Sequence, residues 1–157
     1  MLDRTRGGLV GGLNNGERRT ASRSQLAALK DFGRSLGLAF QMRDDYLGTF
    51  GNPRLTGKSA GNDLRRGKKT FVVLAALETA GNQERTRISK VLGNHKATDE
   101  EIRSVVALLK RLRIDESCMK VVREYANLAI VSLEGFDVGR EREMLEKLAI
   151  FAANRDS

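Results

Sequence analysis

"LAFQMRDDYLGTFGNPRLTGKSAGNDLRRGKKT", residues 38–70, is the stretch on which the reading of the whole chain turns. It closes a run in which Leu26, Leu29, Phe32, Leu36 and Phe40 recur three or four apart, the spacing of an amphipathic helix. Gln41, Asp44, Asp45 and Gly48 stand at i, i+3, i+4 and i+7, so the amide and both carboxylates share one face. The helix is expected to span Ser24 to about Leu47, because "GTFGNPRLTGKSAGN" is rich in breakers and Pro53 cannot continue it. Beyond lie Lys58 and the cluster Arg65, Arg66, Lys68 and Lys69. Paired acids and clustered bases so close together suit a ligand carrying both metal and negative charge, such as a diphosphate bridged by magnesium.

Working outward, the rest of the chain reads as helix. Asp63 is expected to cap a helix with "TFVVLAAL" as its buried middle and Gly81 at its end. "TFVV" is β-branched enough for a strand, but its flanks favour a buried helix. Thr98 and Glu101 have capping-box spacing before "IRSVVALLKRL". Asp115 precedes a stripe of Val121, Val122, Tyr125, Leu128 and Ala129, and Asp137 precedes the last helix. No internal repeat or long linker divides the chain, so the reading is one all-α unit over 1–157.

Composition bounds the alternatives. With 157 residues, 40% hydrophobic and 31% charged, the chain can bury a core and does not read as disordered. No apolar run approaches the ~18 residues that span a bilayer, and the N-terminus lacks the apolar core of a signal peptide. The single Cys118 cannot form an internal disulfide, so a cytoplasmic location is expected. A net charge of +8 invites an anionic partner, but aromatics are only 5% and tryptophan is absent, which leaves a nucleic-acid stacking platform poorly supplied. A basic nucleic-acid-binding helical domain is therefore the weaker reading, and no nucleic-acid partner is expected.

Adjacent carboxylates near a helix C-terminus repel each other and oppose the macrodipole, and Arg43 points away from Asp44 around the helix. An unrepaired violation of this kind is expected where a bound cation completes the site. Magnesium prefers hard oxygen ligands and commonly combines one or two carboxylates with substrate phosphates. An isolated Asp-Asp pair at a water line would need no such explanation; the glycines at 57 and 61 and the lysines at 58 and 68 are what give it one. Gly57-Lys58 alone lacks the upstream glycine of a P-loop.

Phe40, Gln41, Asp44, Asp45, Leu47, Gly57, Lys58, Gly61, Asp63, Leu64, Gly67, Lys68 and Thr70 together resemble the second aspartate-rich region of trans-isoprenyl diphosphate synthases, the polyprenyl synthetase family, whose pattern runs FQxxDDxLD, a loop, then GKxxGxDLxxGKxT. The resemblance implies an isoprenoid-synthase-type helical bundle around a central cavity, represented here by its C-terminal portion. It also implies a magnesium-dependent prenyltransferase that joins an allylic diphosphate head-to-tail to isopentenyl diphosphate. By position, Asp44 resembles a direct magnesium ligand and Asp45 a partial or indirect one, while Asp63 would hold metal-bound water or orient Lys58. Lys58 and Lys68 resemble the lysines that grip the allylic diphosphate, and Gln41 a residue beside it. Arg4-Thr5 stands roughly where the family has a Lys-Thr pair that touches the diphosphate and hydrocarbon chain.

Two departures qualify the resemblance. Gly48 replaces the motif's third aspartate, so weaker metal binding is expected. The first aspartate-rich region and the isopentenyl diphosphate anchors are absent from this sequence, which corresponds to about half the family's length. The isolated chain is accordingly expected to be weak or inactive, with a non-catalytic remnant or a small subunit completing a full-length homologue as the rival reading. Homodimerisation is implied by the family alone. Apolar stripes around Leu36, Phe40 and "TFVVLAAL" are expected to lie bare. His95 reads as a solvated loop residue and Cys118 as a small buried hydrophobe.

Overall fold

The computed structural model describes residues 21–57 and 59–156, which are all helix, turn or loop. Arg4, Thr5 and Lys58 lie outside the described residues. The all-α expectation holds, with eight helices among those described: α1 (Arg23–Phe50), α2 (Pro53–Thr56), α3 (Asn62–Arg65), α4 (Phe71–Thr79), α5 (Asn82–Val91), α6 (Asp99–Arg111), α7 (Ile114–Val131) and α8 (Arg140–Asn154).

Helix α1 starts on a capping box. The Gln25 N–H donates to Ser22 Oγ at 3.1 Å, and the Ser22 N–H donates to Gln25 Oε1 at 2.9 Å. The helix runs through Gly48 to Phe50, past the expected stop near Leu47, because the chain still closes the Gly51 N–H onto the Leu47 carbonyl at 2.9 Å. Pro53 then opens the single turn of α2, where its missing N–H costs nothing.

The single helix expected from Asp63 to Gly81 is two helices. Asp63 lies inside the short turn of α3, and Gly67, at φ 68°, turns the chain left-handed before α4 begins. Thr70 caps α4 by accepting the Val73 N–H at 3.2 Å, so "TFVV" is helix entry rather than strand. Gly81 does not end that helix but caps α5, its N–H held by Glu84 Oε2 at 3.0 Å. Helix α5 escapes apolar periodicity because it buries only Ile88 and Val91. The Thr98–Glu101 box forms as expected at α6. Helix α7 begins at Ile114, one residue ahead of Asp115, and α8 begins at Arg140 rather than directly after Asp137.

The largest core joins α3 to α7, with Leu64, Val72, Val73, Ile88, Ile102, Leu109, Ile114 and Cys118 buried together. Burial of each such aliphatic side chain contributes about 1.5–3 kcal/mol. Cys118 is the small hydrophobe expected, and burial pushes its thiol pKa up to about 11. His95 is exposed in its loop.

Helix α1 packs most extensively along α7, with α8 against both. Small residues line this junction: Ala39, Ala126, Ala129, Ala149 and Ala153 let the helices approach closely. The apolar stripes are therefore only partly used. Of the α1 stripe Phe32 is buried and Leu36 half-buried, while Leu26, Leu29 and Phe40 face solvent. Of the α7 stripe Val122 and Ala129 are buried and Leu128 is exposed. Helix α4 buries Val72, Val73 and Ala76 but leaves Leu74 outward, so the bare face there is a single leucine.

Candidate functional site

The last turns of α1 carry the acids, and the loop into α4 brings the base to them. Asp45 is nearly buried and is held from three sides. Lys68 Nζ lies 3.0 Å from its Oδ1, Gln41 Nε2 donates to the same oxygen at 3.1 Å, and the Phe71 N–H donates to Oδ2 at 3.2 Å. Phe71 is the first residue of α4, so the positive end of that helix dipole faces Asp45. Lys68 Nζ also stands 3.4 Å from Asp63 Oδ2 and 3.7 Å from Asp44 Oδ2. One ammonium thus touches three carboxylates from two helices. Burial would lower the Lys68 pKa, but its hydrogen bond to Asp45 and the charges of Asp63 and Asp45 outweigh this and hold it above the ordinary lysine range.

The loop geometry that delivers Lys68 comes from Leu64. Its side chain is fully buried, and its carbonyl accepts the Gly67 N–H at 3.0 Å and the Gly93 N–H at 2.9 Å. The Lys68 N–H closes onto the Asp63 carbonyl at 3.0 Å, which fixes the backbone between the acid and the base. Upstream, the Gly61 N–H donates to the Thr49 carbonyl at 3.0 Å, tying α3 to the end of α1. Gly61 is left-handed at φ 72°, and a Cβ there would meet Ile102 Cγ2 at 2.4 Å.

Gly48 has a different meaning from the simple loss of a carboxylate. A Cβ at position 48 would lie 2.2 Å from Asp63 Oδ2 and 2.5 Å from Asp63 Cγ. The carboxylate of Asp63 therefore fills the space that a side chain at 48 would take. An acidic group stands at this point of the face, delivered from α3 instead of α1.

The adjacent carboxylates are also better compensated than their local sequence allows. Arg155 Nη2 reaches Asp44 Oδ1 at 3.4 Å while its guanidinium stacks 4.0 Å over the Phe40 ring. Arg43 does point away from Asp44, and its task is to seat the C-terminal residues. It donates to the Arg155 carbonyl at 2.8 Å and pairs with Asp156 at 3.3 Å. Burial, the largest influence, lowers the Arg43 pKa. Arg155, Asp156 and the Phe71 N–H are the participants that sequence reasoning missed. Nothing in "NRDS" marks its link to residues 111 or more positions away. The Phe71 contact follows only once α4 is known to start there.

Among the described residues no three His, Cys, Asp or Glu side chains converge into an enclosure able to hold a metal by themselves. The donor set is nonetheless hard and all-oxygen, half-open at Asp44, and a lysine ammonium already stands where the carboxylates meet. That fits an ion sharing its coordination with phosphate oxygens and water, the usual habit of magnesium. Asp44, Asp45 and Asp63 are the residues that would hold it.

The sequence profile described as polyprenyl synthetase matches residues 16–109. A short chain isoprenyl diphosphate synthase of Methanothermobacter thermautotrophicus is 33% identical over 135 residues, which cover 86% of this chain and 41% of the relative. Among solved structures, a geranylgeranyl pyrophosphate synthase of Corynebacterium glutamicum complexed with isoprenyl diphosphate and magnesium superposes with a TM-score of 0.78 at 32% identity, covering 86% of this chain and 39% of that one. A polyprenyl synthase of Caulobacter crescentus complexed with calcium and isoprenyl diphosphate gives 0.78 at 33%, covering 87% and 42%. The chain belongs to the polyprenyl synthetase family. It spans about two fifths of the length of these relatives. No helix among the described residues is long and apolar enough to cross a membrane.

Proposed function

We propose that this chain forms the diphosphate-binding wall of a trans-prenyl diphosphate synthase site, where an allylic diphosphate is held for condensation with isopentenyl diphosphate. The observation that carries the reading is the meeting of Lys68 with Asp44, Asp45 and Asp63, residues contributed by α1, α3 and the loop before α4. Magnesium bound there would supply Lewis-acid neutralisation of the leaving group. Lys68, and Lys58 by its place in the motif, donate to diphosphate oxygens and stabilise the negative charge that grows on them as the carbon–oxygen bond breaks. The diphosphate leaves with the bonding electron pair; the isopentenyl double bond attacks the allylic cation, and loss of a proton completes a product five carbons longer. Gln41 is exposed beside Asp45, where its amide can orient the diphosphate and face the developing cation.

By itself the chain supplies one wall of this site, so turnover by the isolated chain is expected to be weak or nil. A second reading, a non-catalytic small subunit that completes a full-length homologue, is favoured by the large apolar residues left outward on α1, α7 and α8: Leu26, Phe40, Leu128, Ile150 and Phe151. Labelled isopentenyl diphosphate, magnesium and an allylic primer separate the two, with the chain assayed alone and mixed with a full-length homologue. Turnover by the chain alone ends the one-wall proposal. A change in rate or product only in the mixture favours the subunit reading. Failure to retain magnesium and pyrophosphate together under any condition removes the diphosphate site itself.

A further inference from the structure

We infer that Lys68 is a resident counter-ion of the acidic face, competing with divalent metal for Asp44, Asp45 and Asp63 and yielding to it only when a diphosphate takes the ammonium over. The inference rests on the diphosphate-site reading above and adds to it an order of occupation. Lys68 is then both a ligand of the diphosphate and an obstacle to the metal, and these two roles give opposite signs on removal.

Four observations lead here. Among the described residues Lys68 Nζ alone contacts all three carboxylates, at 3.0, 3.4 and 3.7 Å, so an ion bridging them has to displace it. A divalent ion and an ammonium cannot share that point, since like charges a few ångströms apart repel strongly in a partly desolvated site. Among the described residues, Gln41 and the Phe71 N–H orient Asp45 and Arg155 shares in neutralising Asp44, while Lys68 is the charge that joins the three acids. Finally, the Lys68 side chain is 42% exposed while its backbone N–H is fixed on the Asp63 carbonyl, so the flexible stem can swing outward without moving the loop.

The energetic consequence follows from linkage. With no diphosphate present, metal entry breaks three ion pairs and leaves the ammonium without a comparable partner. With a diphosphate present, the ammonium passes to phosphate oxygens as the metal enters. Diphosphate and metal therefore strengthen each other's binding by the same factor, and a large part of that factor is the cost of evicting Lys68.

The test uses the full 157-residue chain and Mn2+ as the metal probe, measured by equilibrium dialysis with and without inorganic pyrophosphate, against a protein-free pyrophosphate control. Wild type is expected to take up Mn2+ roughly tenfold more tightly with pyrophosphate than without it. Lys68→Met and Lys68→Ala are expected to bind Mn2+ alone roughly tenfold more tightly than wild type, and to lose most of the pyrophosphate enhancement. Lys68→Arg, which keeps the charge, is expected to show no such gain. If both neutral variants fold, by circular dichroism, yet bind Mn2+ alone no better than wild type, the inference is overturned while the diphosphate-site reading stands. Should they not fold, wild type still decides: equal Mn2+ affinity with and without pyrophosphate overturns it. No Mn2+ uptake by wild type under either condition removes the underlying site and this inference with it.

Discussion

Two acidic runs in this chain have nearly the same composition and opposite circumstances. Asp99, Glu100 and Glu101 occupy the first turn of α6, whereas Asp44 and Asp45 sit near the end of α1, which has no basic residue in its last turn. At α6 the helix dipole and free N–H groups already favour negative charge, and Thr98 with Glu101 closes a capping box. At α1 the acids lie more than a turn before the helix end and have no favourable terminus of their own, and the compensation comes from Lys68, 23 positions away, and Arg155, 111 positions away. The α6 acids do have distant partners, Arg65 for Asp99 and Lys90 for Glu101, but these only add to what their own helix terminus already supplies, and such acids build the fold. Acids whose partners must be assembled by tertiary structure are available to exchange those partners for a ligand.

The largest expected effect breaks the comparison at Asp45. Asp45→Ala removes the acceptor of Lys68, Gln41 and the Phe71 N–H together. Retention of magnesium with pyrophosphate should fall by about a hundredfold, as losses around metal ligands commonly do. Glu100→Ala, in the other run and exposed, should leave it unchanged. Calorimetric titration of both variants checks this, and equal losses would show that bulk charge, not placement, governs binding.

Next comes Gly48→Ala. The added Cβ would press on Asp63 Oδ2 from 2.2 Å, so the carboxylate must leave the face. Alanine also favours the helix by about 1 kcal/mol over glycine, offsetting part of the crowding cost. Thermal stability should stay within about 1 kcal/mol of wild type while metal–pyrophosphate affinity drops roughly tenfold. Unchanged affinity would mean that Asp63 is not needed where it stands.

Thr98→Ala sharpens the other side. It removes the acceptor of the Glu101 N–H and should cost about 1 kcal/mol of stability in thermal or denaturant unfolding. Ligand affinity should not move, because α6 contributes nothing to the acid–lysine cluster.

How much of this was legible in the sequence also divides along local and distant lines. The α1 face, the Thr98–Glu101 box and the all-α class follow from spacings of three and four, and those spacings survive folding. Helix α5 did not announce itself, because it turns few apolar residues inward. The break between α3 and α4 depends on a left-handed Gly67 and on Leu64 anchoring a loop against Gly93, contacts that no short window contains. At the site, Gln41, Asp44, Asp45, Asp63 and Lys68 lie together in space, while Lys58, Arg4 and Thr5 lie outside the described residues. Arg155 and the filling of Gly48 by Asp63 depend on chain segments meeting in space. The stripe on α1, expected bare around Leu36 and Phe40, divides for a related reason: periodicity shows that a face is apolar but not which part of it a neighbour covers, and alanines on α7 and α8 draw those helices toward Phe32 and Ala39, which half-covers Leu36 and leaves Leu26 and Phe40 exposed.

The smallest expected effect is a pH dependence with one limb from each run. Glu101 has its pKa lowered, chiefly by the Thr98 N–H and then by Lys90. Its contribution to stability is therefore present above the ordinary glutamate pKa of about 4.3 and is lost as pH falls through the lower folded value. Lys68 behaves in the opposite sense. Burial lowers its pKa, but Asp45 and Asp63 raise it further, so its contribution is complete below the ordinary lysine pKa of about 10.4. It fades as pH rises through the higher folded value. Both groups are solvent-accessible, so each limb should be shallow and should flatten further with added salt. Melting temperature followed from pH 3 to 11, about the range these two titrations cover, separates them. Glu101→Gln should flatten the acid limb and Lys68→Met the alkaline limb. If Lys68→Met left the alkaline limb untouched, the ion pairs around it would contribute nothing to stability, and the contrast between the two acidic runs would hold for ligand binding alone.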